Sequence, residues 1–289
     1  MTVHPIPLGD DGQVDRLAWL QLRQDLRATG LFSASSAGVL WDCHPFQTLG
    51  DVATQHLAPA PIDDRPNEAM KRGHFLEPAL LRWFEDQIGM LVISPPVMYA
   101  DNGVLATLDG EIVGSTDVVE AKSYAGYIDG DVLPYWRAQA VAQCLAKPGT
   151  RTVHFAVIDS SLRFQHISVT PTTAELDDMA ERVRRFLAFV AMGAVPQGVD
   201  LSEQNVRTLW PTPDPELALE ADEAAAELAT EWALARRARL DAEKREQALK
   251  DRLADTIREH ALLTIDGKPV VTYRANGRGR TLAPAGELK

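Results

Sequence analysis

Residues 109–122 read D-G-E-I-V-G-S-T-D-V-V-E-A-K, two outer acids and a closing lysine set in a run patterned as β-strand. Side chains alternate faces along a strand, so Glu120 and Lys122 project together while Val119 and Ala121 project the other way. A carboxylate and an ammonium held side by side in such a strand need partners, and a salt bridge or a metal-water site supplies them. Asp109 precedes Glu120 by eleven positions across what reads as a tight hairpin, so a returning strand is expected to bring the two acids together. Taken alone, Asp109-Gly110 is also an ordinary turn signal.

Working outward, the flanking segments are short β-type runs, LVISPPVMYA, VLATLDG and EIVGSTDVVEAK, separated by Gly, Pro and Asn. Three helices are expected ahead of them, over Val14–Ala28, Ala34–Trp41 and Asn67–Gly89. In the third, Asn67 is the N-cap, Met70, Phe75, Leu76, Leu80, Leu81 and Phe84 are the buried spacings, and Gly89 is the stop. Behind them the pattern gives a helix at Pro134–Ala146, strands TVHFAVID and RFQHISVT, and a helix from about Thr173 to Met192. The fold class is α/β (α+β), a mixed central sheet flanked by helices.

Three prolines in the five residues after Trp210 forbid regular structure and mark a boundary. The chain is therefore divided into a domain over 1–200, a Pro-rich linker over 201–215 and an arm over 216–289. The segment Glu216–His260 has no Gly or Pro and is expected to form one long helix or a bent pair. LLTIDGKPVVTYR then reads as a hairpin, and a loose basic tail with Arg274, Arg278, Arg280 and Lys289 against Glu287 could touch phosphates.

Composition bounds the chemistry. The 289 residues are 45% hydrophobic and 24% charged, as in a globular chain of one or two domains. The N-terminal stretch MTVHPIPLGDDG lacks the features of a signal peptide, no run approaches a membrane span, and the cytoplasm is the expected compartment. Two cysteines build neither a disulfide framework nor an iron–sulfur cluster. The net charge of −12 speaks at first sight against nucleic acid, but residues 1–200 hold 25 Asp and Glu against 15 Lys and Arg, an excess that suits divalent cations. A D-x10-E-x-K spacing offers two hard oxygen ligands for Mg2+ or Mn2+ and a lysine able to orient or deprotonate water, the parts that phosphodiester hydrolysis uses. No G-x-x-x-x-G-K-[ST] motif occurs, so no ATP motor is expected.

These residues resemble the core of the PD-(D/E)XK nuclease superfamily, in its YqaJ-like branch of phage and prophage alkaline exonucleases that includes lambda exonuclease and relatives of RecE. The resemblance rests on Asp109-x10-Glu120-Ala121-Lys122 and on four further motifs. They are Trp19-x3-Arg23 with Phe32-Ser33-Ala34-Ser35, Arg72-Gly73-His74-Phe75-Leu76-Glu77-Pro78, Ala106 to Gly110, and Tyr135-Trp136-Arg137-Ala138-Gln139. It covers roughly residues 15–192.

What the resemblance implies is an Mg2+-dependent deoxyribonuclease with a restriction-endonuclease-like core, Mn2+ substituting for the metal. Asp109, Glu120, the Ala121 carbonyl and Glu77 would hold the metal, Lys122 would be the catalytic lysine, and Gln139 would orient water or the lysine. Gln143, one turn on, shares its face and could exchange roles with it. Ser35 and Arg23 resemble residues that hold a 5′ phosphate, with Gln143 counted among the DNA-binding residues beside them, Arg27 a substitute for Arg23 and the serines equally able to cap the next helix. The implied substrate is a double-stranded DNA end degraded 5′ to 3′, leaving a 3′ overhang for a single-strand annealing recombinase in phage-type recombination within a bacterial host. A homo-oligomeric ring, possible as a trimer, is implied, and no membrane partner. Two alternatives stand: a catalytically inactive DNA-end-binding scaffold, and an endonuclease of the same superfamily.

Overall fold

A computed structural model describes residues 1–10, 12–59, 67–212, 215–277 and 279–286. In chain order the first elements are β1 (Thr2–Pro5), α1 (Arg16–Ala28), β2 (Phe32–Ser33), a 3-10 helix (Ala34–Trp41), α2 (Leu49–Leu57) and α3 (Glu68–Ile88). Next come β3 (Val92–Ile93), β4 (Val97–Asp101), β5 (Val104–Thr107), β6 (Gly110–Ile112), β7 (Val118–Ser123) and α4 (Pro134–Ala146). After these follow β8 (Val153–Ile158), β9 (Phe164–Val169), α5 (Thr173–Ala191) and α6 (Glu203–Leu209). The chain divides into two units, Met1–Pro213 and Asp214–Lys289. Among the described residues no helix is long and apolar enough to cross a membrane.

The first unit is mixed α/β, built on a five-stranded sheet in the order β3-β6-β7-β8-β9 and a four-stranded sheet in the order β1-β4-β5-β2. In the larger sheet only β7 and β8 run parallel, Val118 opposite Val153 through Ser123 opposite Ile158. Parallel neighbours need a crossover, and α4 provides it, starting at Pro134 where the missing N–H costs nothing. The alternation expected for β7 decides how the layers stack. Val119 and Ala121 meet Leu80, Leu81 and Phe84 of α3 on one face. Val118 joins Trp136, Val141 and Phe155 in the main core on the other, so Glu120 and Lys122 are aimed at α4.

Helix ends follow their caps. Asn67 accepts from Met70 N–H ahead of α3, and Gly89 closes it at φ 67°. Two of the apolar positions expected to be buried in α3 are not: Phe75 is 78% exposed and Met70 50%. Nine residues separate Phe75 from Phe84, which at 3.6 residues per turn puts it half a turn round the helix from the buried stripe. Met70 sits in the first turn, ahead of the apolar stripe that begins at Leu76.

The Asp109-Gly110 turn is also corrected. Gly110 is the first residue of β6 and pairs with Val119, so Asp109 stands level with Glu120, while the chain reverses at Gly114 (φ 83°). The glycine serves a close approach: a Cβ there would lie 2.7 Å from Val92 Cγ1 and 3.2 Å from Leu81 Cδ2. The residues read as linker, 201–215, include helix α6, capped by Ser202 accepting from Asn205 N–H.

The second unit comprises α7 (Glu223–Ile257), β10 (Leu262–Ile265), β11 (Lys268–Asn276) and β12 (Gly279–Pro284) in a three-stranded antiparallel sheet. The helix is shorter than the expected Glu216–His260 because Asp222 caps it by accepting from Ala225 N–H, and Arg258 ends it at φ 49°. The tail expected to be loose forms β12, so the hairpin is a three-stranded meander. Arg280 is taken up structurally: its guanidinium donates to the carbonyls of Arg258, His260 and Tyr273 and lies 3.8 Å over the Tyr273 ring. Arg278, Glu287 and Lys289 of the same tail lie outside the described residues.

Candidate active site

The strand pair β6–β7 and helix α4 assemble the centre. Glu120 is only 5% exposed, a cost offset by one ion pair and two hydrogen bonds from neutral amides. Lys122 Nζ lies 2.7 Å from its Oε1, Gln139 Nε2 donates to the same oxygen at 2.7 Å, and Gln143 Nε2 donates to Oε2 at 2.6 Å. Lys122 Nζ also donates to Gln139 Oε1 at 2.9 Å, closing a triangle of Glu120, Lys122 and Gln139. The two glutamines, four residues apart on one face of α4, therefore differ: Gln139 touches both carboxylate and lysine, Gln143 the carboxylate alone. Oε1 of Gln143 is buried without a hydrogen-bond partner.

Asp109 is fixed from the opposite strand, its Oδ2 accepting from the Ala121 N–H at 2.8 Å. Burial, then the charges of Glu120 and Glu77, raise its carboxyl well above the ordinary range. Glu77, half-buried on α3, is raised by burial and then by Glu120. Burial alone would lower the Lys122 ammonium, but Glu120 and Asp109 outweigh it and the net shift is upward. Three carboxyls thus repel one another around one lysine.

A second group faces the same space. Arg23 of α1 donates through Nη2 to Ser33 Oγ at 2.7 Å and Ser35 Oγ at 2.8 Å, and the two hydroxyls are 3.2 Å apart. Ser33 is the N-cap of the 3-10 helix yet makes no side-chain cap bond, so its hydroxyl is committed to Arg23. Burial, then the neighbouring Arg27 cation, lower the Arg23 guanidinium to about 10, which leaves it charged at neutral pH. Arg27 itself donates to Gln55. A cavity of about 160 Å³ brings the halves together, lined by Arg23, Ser33 and Ser35 on one side and Asp109, Glu120, Gln139 and Gln143 on the other. Sequence reasoning missed that Trp19 also lines it, with Arg23 5.8 Å over its ring, although the Trp19-x3-Arg23 spacing carried the signal. A larger cleft of about 450 Å³ between α3 and β3 is lined by Arg82, Glu85, Asp86 and Ser94. It contains none of Asp109, Glu120 and Glu77, whereas Asp109 and Glu120 both line the smaller cavity.

Among the described residues no group of three or more His, Cys, Asp or Glu side chains is gathered closely enough to hold a metal by itself. Mg2+ does not require one, since it is commonly held by one or two carboxylates and keeps several waters. Asp109, just ahead of β6, and Glu120 on β7 line one cavity and would supply that pair; burial first, and then a mutual repulsion that a divalent cation would relieve, raise Asp109 and Glu77. The donor set fits the metal.

Neither protein-family models nor curated protein sequences match this chain. The fold is similar to that of an alkaline exonuclease, LHK-Exo, from Laribacter hongkongensis, at 17% identity and a TM-score of 0.46 over 59% of this chain and 93% of that one. The same exonuclease in complex with dAMP is similar at 18% identity and a TM-score of 0.46, over the same shares. A phage-related exonuclease from Haemophilus somnus 129PT is similar at 9% identity and a TM-score of 0.44, over 56% of this chain and 94% of that one.

Proposed function

We propose that this chain is a divalent-metal-dependent nuclease that hydrolyses phosphodiester bonds at double-stranded DNA ends, 5′ to 3′, leaving 3′ single-stranded overhangs. The observation that carries the reading is one cavity in which Asp109, Glu120 and Gln139 face Arg23, Ser33 and Ser35, with Lys122 bonded to both Glu120 and Gln139.

Mg2+ or Mn2+, held by Asp109, Glu120 and the Ala121 carbonyl with Glu77 behind them, would polarise the phosphoryl group and lower the pKa of bound water. The chain's own groups do the rest. Lys122, its pKa raised, is an ammonium at neutral pH and donates to the attacking water or to a phosphoryl oxygen, offsetting the charge that develops in the transition state. Gln139 holds that ammonium at a fixed angle. Water oxygen forms the new P–O bond, the bond to the leaving 3′ oxygen breaks, and that oxygen takes up a proton. Arg23, with the serine hydroxyls, binds the phosphate at the 5′ end and sets which phosphodiester reaches the acids.

The overhang produced is the substrate of a single-strand annealing recombinase, and a ring-shaped homo-oligomer would retain the duplex between cuts. The experiment compares linear duplex, blocked-end duplex and covalently closed circles with Mg2+. Rapid loss of linear duplex alone supports an exonuclease, and equal cleavage of circles would make the chain an endonuclease. Binding of ends without cleavage would make it a scaffold.

A further inference from the structure

Helix α7 presents an apolar seam to solvent. Every residue from 226 to 252 is exposed, and the large side chains include Leu228 (68%), Trp232 (62%) and Leu249 (50%). At 35 residues the helix is about 52 Å long, and a solvated helix gains little from propensity alone. Leu228, Trp232, Ala235, Ala242, Leu249 and Leu253 recur at the alternating three- and four-residue spacing of a coiled-coil seam, interrupted by Arg239 and Glu246. Leu234 and Leu240 lie off that seam.

The charges select the occupant. In a parallel pair of such helices, Arg239 would meet Arg239, Glu246 would meet Glu246, and Arg245 would flank Lys250. In the antiparallel register that sets Trp232 against Leu249 of the second copy, Leu228 meets Leu253, and Arg239 and Glu246 face alanines. That register also places Glu231 beside Arg252 and Arg236 beside Glu243, twice each by symmetry, with no like-charge contact along the edges.

We infer that α7 is a self-association element, joining two copies of this chain through an antiparallel two-helix seam with Trp232 packed on Leu249. It is independent of the nuclease chemistry, since α7 carries none of the cavity residues.

The test uses the full chain in sedimentation equilibrium. At tens of micromolar the wild type should reach twice the mass that Leu249→Asp reaches, the variant losing only the association made through α7. Glu231→Arg should weaken it several-fold, and adding Arg252→Glu should restore it, an outcome that a folding defect does not produce. Orientation is read by mixing Ala235→Cys chains with Glu246→Cys chains in a Cys43→Ser background under mild oxidation. Disulfides between 235 and 246 support the seam. Disulfides joining 235 to 235, a monomer at all concentrations, association indifferent to Leu249→Asp, or no rescue by the charge swap would each overturn it.

Discussion

Gln139 and Lys122 share one acceptor: Gln139 Nε2 and Lys122 Nζ both bond Glu120 Oε1 at 2.7 Å, while Gln139 Oε1 accepts from the lysine at 2.9 Å. The glutamine therefore positions the lysine without itself titrating. Gln139→Ala should lower kcat by roughly 10–100-fold, within the range for a group that orients a metal-ligating carboxylate, with little change in KM. Gln143→Ala, which loosens only the carboxylate, should cost less, and an equal or larger loss there would reverse the two roles.

Gly110 leaves room for Val92 and Leu81 next to Asp109. Gly110→Ala forces that edge apart and should destabilise the protein by about 1–3 kcal/mol, as overpacking does. Chemical denaturation measures it. Unchanged stability would mean that β3 yields freely.

The cradle of Arg23, Ser33 and Ser35 predicts a preference for ends bearing a 5′ phosphate. Loss of a charge-assisted bond of about 1.5–3 kcal/mol in Arg23→Ala should raise KM by roughly 10–150-fold for phosphorylated ends and much less for hydroxyl ends. Equal effects on both ends would remove the phosphate assignment.

Acid stability depends on Glu175. Its bidentate contact with Arg137 and its bonds to Thr172 at the start of α5 lower its carboxyl to about 2. Because the folded value lies below the ordinary 4.5, the unfolded chain takes up the proton first. The stabilisation is complete above pH about 4.5 and is lost as pH falls toward 2. Glu175→Gln should lower Tm at pH 7 and flatten the dependence of Tm on pH within that window, while a slope as steep as that of the wild type would place the acid sensitivity elsewhere.

The acids and lysine of the centre were readable because period-two alternation is local: Glu120 and Lys122 share a face whatever β7 pairs with. The division of labour between Gln139 and Gln143 was not, since both lie on one face of α4 and only its docking decides which reaches Lys122. Long-range pairing was likewise hidden. The strand β1 pairs with β4, Thr2 opposite Ala100, and β2 is two residues long, too short for a pattern. Helix α2 was missed although its capping box, Thr48 and Asp51, stands in the sequence. Phe75 misled because it is apolar and next in sequence to Leu76, although its spacing from Phe84 puts it on the opposite side of the helix.

The most direct measurement is the initial rate of linear duplex DNA hydrolysis by purified wild type and Lys122→Ala, with Mg2+ and with a chelator, alongside Tm for each. Metal-dependent cleavage is expected in the wild type, reduced by about 10²–10⁴-fold in the variant at an assay temperature below the Tm of both. Full activity of folded Lys122→Ala, or cleavage that persists in chelator, would contradict the assignment.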